Sequence, residues 1–270
     1  MSTPLSQYAT DLTDAQWQQI EPLLPAAQWR AGGPGRPPRD RRPIVNGLLY
    51  LNKTGCPWAL LPCCFGPWKT VYDIFRRWSL QGVWPQVLDQ LTQQERRRHG
   101  RVARPSAGCV DSQTIKTATQ GKTTGYDAGK KIKGRKRHLL VDTSGLLRQV
   151  VVTAADVDDR DGLKQVLTRL GAAGRARLRK LWADGGYQGE AIRTWVANQK
   201  KTHKIDLEVV AKPSGGFTVV KRRWVVERTL AWLMNFRRHA RDYEVLTRHS
   251  EALIQIAMIH LLLKRIKKKK

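Results

Sequence analysis

In the first hundred positions apolar residues recur at helical spacing, and beyond Pro105 the texture changes to alternating strands and helices. The segment DAQWQQIEPLL predicts a helix with Thr13 as its N-cap, Trp17, Ile20 and Leu24 on one face, and Pro25 closing it. Residues 41–55 predict a second helix stopped by Gly55, and residues 67–98 one or two more. Residues 106–115 are a β-run with Asp111 at its end, and 135–142 followed by 146–155 predict a hairpin turned at Thr143, Ser144 and Gly145. A helix over 159–171, a strand over 177–187 running into a Gly-Gly turn, a helix over 189–201 and a strand over 204–212 complete a mixed sheet with helices on its faces.

The stretch 221–244, KRRWVVERTLAWLMNFRRHARDYE, predicts a helix that presents an acid. At about 100° per residue, Val225, Val226, Trp232, Leu233, Phe236 and Ala240 gather into one apolar arc. Glu227 falls outside it, in a stripe with Arg223, Met234 and Arg238, so that a carboxylate faces outward between guanidiniums. The alternative is an ordinary (i, i+4) surface pair of Arg223 with Glu227, worth about 0.3–0.5 kcal/mol. Residues 252–263 are apolar over too short a run to span a membrane, contain Gln255 and His260, and predict a buried helix ahead of the KRIKKKK tail.

Charge changes the picture more than any other feature of composition. Forty-nine Lys and Arg stand against 22 Asp and Glu, a formal +27 over 270 residues with a pI near 10.6. Such an excess repels itself in a compact state unless a polyanion neutralises it, which points to nucleic acid ahead of an anionic membrane surface. The basic Gly/Pro-rich segment 31–42, with Arg36 and Arg39, either lies along phosphates or is a solvated linker. Lys69, Arg76 and Arg77 sit on a predicted helix that, with its neighbour, would suit a helix-turn-helix or a plain bundle. The run 95–105 has the look of an interdomain linker. Four cysteines lack the spacing of a zinc site and are expected to be small buried hydrophobes in a reducing, cytoplasmic setting; no secretory signal opens the chain.

Asp111 and Asp184 each end a predicted strand and precede small or polar residues. In open α/β sheets ligands bind beyond the carboxyl ends of strands, so the two could meet at one crevice with Glu227 brought over them. Three converging carboxylates suit shared Mg²⁺ or Mn²⁺, and two such ions would carry out phosphodiester chemistry. Each aspartate alone is as well explained as a turn or cap residue. Asp142, Asp156, Asp158, Asp159 and Asp161 compete, the last four being accounted for by their place before a helix.

The segments VDSQTIKTA, GYDAGKKIKGRKRHLLVDTSGLL, ADGGYQG and RRWVVERTLAWLMNFRRHARDYE, in this order, closely resemble bacterial insertion-sequence DDE transposases of the insertion-sequence-five group. LTDAQWQQIEPLLP, GRPPRDRRPIVNGLLYLNKTGCPW and FGPWKTVYDIFRRWSLQGVW are similar to the helical region these proteins carry, so the resemblance covers nearly the whole chain. It implies a ribonuclease H-like mixed sheet with flanking helices over 101–270, preceded by an all-helical DNA-binding domain over 1–100. Asp111, Asp184 and Glu227 would be its metal-binding catalytic triad, with Mg²⁺ or Mn²⁺, two ions, as cofactor. The implied activity is binding of terminal inverted repeats, metal-dependent cleavage and strand transfer into target DNA, by a homodimer or larger synaptic assembly at the bacterial nucleoid, with no membrane partner.

Related transposases carry a Tyr and an Arg upstream of the glutamate and a Lys seven positions after it. Here Arg223 matches the Arg, while Val220 and Met234 occupy the other two places, and the helical stripe offers Arg238, beside Arg237, as the DNA-facing replacement. Lys122, Lys130, Lys131, Lys133, Arg135, Lys136 and Arg137 are expected to clamp the DNA backbone, a solvated hairpin being the alternative. Two rivals remain open: a non-catalytic transposase-derived regulator, and a metal-dependent nuclease without strand transfer.

Overall fold

The structure, a computed structural model, describes residues 8–26, 40–118, 123–200, 202–210 and 224–266. Helix α1 (Asp14–Ile20) opens with the predicted cap: Thr13 accepts from the Gln16 amide and Gln16 accepts from the Thr13 amide at 3.0 Å. It stops short of Pro25 because Pro22 has no N–H to continue the ladder, and one 3-10 turn, Glu21–Leu23, follows. Helix α2 (Arg41–Thr54) is capped by Asp40 and ended by left-handed Gly55. The stretch 67–98 divides at Gly82 into α3 (Trp68–Leu80) and α4 (Val83–Arg98). The expected linker at 95–105 is thus helical through Arg98.

Six strands follow: β1 (Ala107–Lys116), β2 (Gly125–Asp127), β3 (Ile132–Asp142), β4 (Leu147–Ala154), β5 (Lys180–Ala183) and β6 (Asp206–Val209). β3 pairs antiparallel with β1, β4 and β2, while β5 lies parallel to both β1 and β6. The path is therefore β4-β3-β1-β5-β6, with the short β2 added beside β3. Between the strands lie α5 (Asp159–Arg175) and α6 (Glu190–Ala197), and after them α7 (Trp224–Met234) and α8 (Thr247–Ile266). This is a ribonuclease H-like mixed sheet behind a helical region.

Strand alternation divides the core. Val110, Leu140, Val151, Leu181 and Ala183 pack on Leu163, Val166, Ile192 and Val196 of α5 and α6. Cys109, Leu139, Val141, Val150 and Trp182 face the other way, onto Val225, Val226 and Leu233 of α7 and the apolar length of α8. That second cluster continues without a break into Leu48, Phe75, Trp84 and Leu91, so α8 is a post shared by the sheet and the N-terminal helices. Asn52 donates to the Leu253 carbonyl at 2.8 Å and Gln16 to that of Leu263 at 3.2 Å, tying α2 and α1 to it. Among the described residues no helix is long and apolar enough to cross a membrane.

Three expectations are corrected. Asp111 lies inside β1, not at its end, since β1 runs on to Lys116 against β3. The helix of 221–244 stops at Met234, because Phe236 turns to an extended conformation to bury its ring. Only Cys109 is a buried cysteine; Cys63 and Cys64 are exposed.

Candidate active site

Strand pairing brings the two aspartates together. Parallel register sets Ala107 against Lys180 and Cys109 against Trp182, and its continuation sets Asp111 beside Asp184. Asp111 shares a face with Cys109, and Asp184, extended at φ −88°, shares one with Trp182. Both carboxylates therefore project from the face that carries α7. β5 ends one residue before Asp184, where the chain makes the 3-10 turn Gly185–Tyr187 and the Gly186 amide donates to Asp184 at 3.0 Å. Asp111 accepts from the Ser112 amide at 2.8 Å.

α7 lies across β1, with Val225, Val226, Thr229 and Leu233 buried beneath it. The Met234 sulfur sits 3.9 Å from Gln113 Nε2, and Gln113 is two residues beyond Asp111 on the same strand face. Glu227 is exposed and lies on the same flank of α7 as Met234, two turns earlier. Gly145 anchors the opposite flank: its φ of 80° needs a glycine, and a Cβ there would lie 2.9 Å from Thr229 Oγ1. Thr229 donates to the Gly145 carbonyl and Arg228 to that of Ser144, at 2.9 and 3.0 Å.

Sequence reasoning missed Tyr187. Its ring is fully buried, and its hydroxyl is turned towards Ser112 on β1. Burial, then the charges of Asp159, Asp111 and Asp184, raise the phenol well above its ordinary range. The side chain that ends ADGGY is thus buried with Val110, Leu163 and Ile192 on the α5 side of the sheet, within electrostatic reach of the acids, which a Gly-Gly turn signal alone did not reveal. Asp159 is held at the start of α5 by Lys136, 3.4 Å away, whose amine also donates to the Val157 carbonyl and lies 3.7 Å from Asp127. Asp158 caps α5, with hydrogen bonds from Arg160 lowering its carboxyl. Asp142 is buried in the hairpin turn, paired with Arg96 and bonded to the Ser144 and Leu146 amides. The competing acids Asp142 and Asp158 therefore have structural tasks.

The basic candidates separate. Lys69, Arg76 and Arg77 are exposed on α3, and Lys130, Lys131 and Lys133 are exposed around the β2–β3 turn. Arg135, Lys136 and Arg137 are buried instead, so they do not form the expected DNA-facing clamp. Arg135 donates to the Thr123, Glu244 and Val245 carbonyls and lies 3.2 Å from Asp242; Arg137 donates to the His239 carbonyl. Burial lowers the Arg137 guanidinium to about 10. Arg238 is likewise buried, bound by Glu244 at 2.6 Å and donating to the Cys56 carbonyl, so it does not take over a DNA-facing place one turn beyond Met234. Arg237 is exposed. Arg36, Arg39, Lys122 and Arg223 lie outside the described residues.

Acids side by side at a ribonuclease H-like strand end, on a strongly basic chain, define a class of enzymes that act on polynucleotides. Residues 103–262 match the family described as Transposase DDE domain, and residues 12–88 match Putative transposase of IS4/5 family. The chain belongs to the DDE-domain transposases. It is 33% identical over 117 residues to the Insertion element IS402 uncharacterized 16.2 kDa protein of Burkholderia cepacia, covering 42% of this chain and 78% of that one. It is also 33% identical over 111 residues to the Putative transposase for insertion sequence element IS402 of the same organism, covering 39% of this chain and 51% of that protein. The chain thus spans about half the length of the second relative. No solved structure gives a significant match.

Proposed function

We propose that the chain binds the terminal inverted repeats of its own insertion sequence, cleaves the element ends and joins the 3′-hydroxyls to target DNA. The observation that supports this is the register of β1 and β5, whose continuation two residues past the Cys109–Trp182 pair would bring Asp111 beside Asp184 on the face beneath α7. Their hard oxygens fit Mg²⁺ or Mn²⁺ better than any softer metal. Among the described residues, Asp111, Asp184 and Glu227 included, no group of three His, Cys, Asp or Glu side chains is close enough to hold an ion, so a third carboxylate has to move towards the two aspartates when an ion binds. We assign that role to Glu227, on the flank of α7 that it shares with Met234. Two divalent ions bound there would activate water or a 3′-hydroxyl and stabilise the leaving oxygen.

The chain's own residues do the rest. Asp111 and Asp184 hold the reacting phosphate's surroundings at a strand end whose backbone is fixed by pairing. The buried Tyr187 closes the α5 side of the site against water. Lys69, Arg76 and Arg77, within a proposed DNA-binding region over 1–100, and Lys130, Lys131, Lys133 and Arg237, within a proposed catalytic region over 101–270, bind backbone phosphates. A pair of chains would be needed to hold both ends.

Incubating the purified chain with two labelled element ends and a target plasmid in Mg²⁺ tests the proposal. Joined end-to-target products support it. Cut ends that never join indicate a nuclease, and binding without cutting, in Mn²⁺ as well, indicates a regulator.

A further inference from the structure

On the flank of α7 next to the one that carries Glu227 lies a cavity of about 490 Å³, between the end of α4, the β3–β4 turn, α7 and α8. Its walls carry Arg96, Arg101, Arg228 and Arg265. Arg96 is committed to Asp142 and the Val102 carbonyl. Glu95, the acid on the rim, is taken by Arg98 at 2.9 Å and by His99 at 3.2 Å. Among the described residues no carboxylate pairs with Arg101, Arg228 or Arg265.

These three guanidiniums are nonetheless held in place. Arg228 lies over the Trp224 and Trp232 rings, 4.2 and 4.7 Å from their centroids, and Arg265 lies 4.3 Å from that of Trp232. Tryptophan and arginine thus alternate along one side of α7, with the last rung supplied by α8. Arg101 donates to Thr143 Oγ1 at 3.0 Å. Arg228 Nε is buried without a hydrogen-bond partner. Burial lowers both the Arg228 and Arg265 guanidiniums; for Arg265 the charge of Glu95 opposes this, that of Arg228 adds to it and that of Asp142 opposes it, and Asp142 opposes it for Arg228 as well. Desolvated, mutually repelling cations of fixed position are stabilised by an anion between them.

We propose that this cavity seats a DNA backbone phosphate, bound by Arg101, Arg228 and Arg265. The assignment rests on DNA being the substrate. A free nucleotide fits less well, because the cavity's indole, Trp232, is already flanked by two guanidiniums, leaving no bare aromatic surface for a base. The remaining polar groups, the Thr143 hydroxyl and the Ser144 carbonyl, are engaged by Arg101 and Arg228. Glu227 and Arg228 are consecutive on α7, about 100° apart around its axis, so the seat lies on the flank next to the one that carries Glu227.

The test uses the full chain and a labelled duplex carrying an element end, with affinity measured by anisotropy across salt concentrations. The double substitution Arg101→Gln with Arg265→Gln should lower the slope of log affinity against log salt by about 0.9, the loss of one phosphate contact. Arg101→Lys with Arg265→Lys keeps the charge and should keep most of the slope, which separates loss of contact from loss of fold. An unchanged slope in the Gln pair overturns the proposal. A second probe, 5′-phosphorylated dithymidine, should raise the Tm of the wild type and not of the Gln pair. If the duplex does not bind at all, the proposed function fails, and the dinucleotide decides for the seat: a shift lost in the Gln pair upholds it, and no shift in the wild type overturns it.

Discussion

Strand β3 and the arginine-lined flank of α7 are both rich in cations and use them in opposite ways. On β3, Arg135 and Arg137 turn inward and stitch residues 239–250 to the sheet through main-chain carbonyls and Asp242. Beside α7, Arg228 and Arg265 are stacked on indoles with no carboxylate partner among the described residues. The difference shows that a +27 chain does not bind DNA with every cation it has. Strand alternation and the acids available downstream decide which charges are spent inside.

The largest effect is expected at Arg135. Arg135→Ala should cost about 3–5 kcal/mol in urea unfolding, because it leaves Asp242 buried beside unsatisfied carbonyls. Arg135→Lys should recover little, since one ammonium cannot reach the same set of acceptors. A loss below about 1 kcal/mol would break the contrast by showing that the buried fork is dispensable.

Next comes Gly162→Ala on α5, whose new methyl would overlap the His138 ring on β3. Overpacking there should cost about 1–3 kcal/mol in the same assay. His138 also supplies a pH test, because burial lowers it to about 4 despite the nearby charges of Asp159 and Asp158, and Lys136 and Lys130 lower it further. His260 is lowered by burial to about 3. A depressed histidine stabilises fully above its unfolded pKa of about 6.5 and loses that stability as pH falls towards its folded value. Stability should therefore decline between about pH 6.5 and pH 4, and His260→Gln should flatten part of that slope. Glu244 and Glu251, whose carboxyls are raised by burial, act in the opposite sense near the acid end.

The smallest effect on stability is expected where the cations face outward. Replacing Lys130, Lys131 and Lys133 together with Gln should change folding by no more than about 0.5 kcal/mol. The same triple substitution should flatten the salt dependence of DNA binding by up to about 2.7 in slope, if each meets a phosphate. Measuring both on one sample sharpens the comparison with Arg135.

Much of this architecture is legible in the sequence. The Thr13 cap, the Gly55 stop, the hairpin at Thr143–Gly145 and the alternation of β1, β3 and β5 are local signals, and local chemistry determines them. Three things were not legible for physical reasons. β2 is three residues long and polar, too short for a period. The end of α7 at Met234 depends on where the Phe236 ring finds its partners, His260 and Lys53, far along the chain. The burial of Arg135, Arg137 and Arg238 depends on Asp242, Glu244 and carbonyls that meet them only after the chain has crossed the sheet. Asp111 and Asp184 could be singled out by their strand contexts, but that they are register neighbours required the pairing of β1 with β5. Tyr187 carried no signal beyond its place after two glycines.

The most direct test of the central claim, that Asp111 and Asp184 together perform the phosphodiester chemistry, is single-turnover cleavage of a labelled element end in Mg²⁺. Wild type, Asp111→Asn and Asp184→Asn would be compared at equal DNA occupancy. Both variants should bind as the wild type does and cut slower by on the order of 10³-fold, about 4 kcal/mol of barrier. Cutting at the wild-type rate by either variant would contradict the claim and move the chemistry to other acids of the chain.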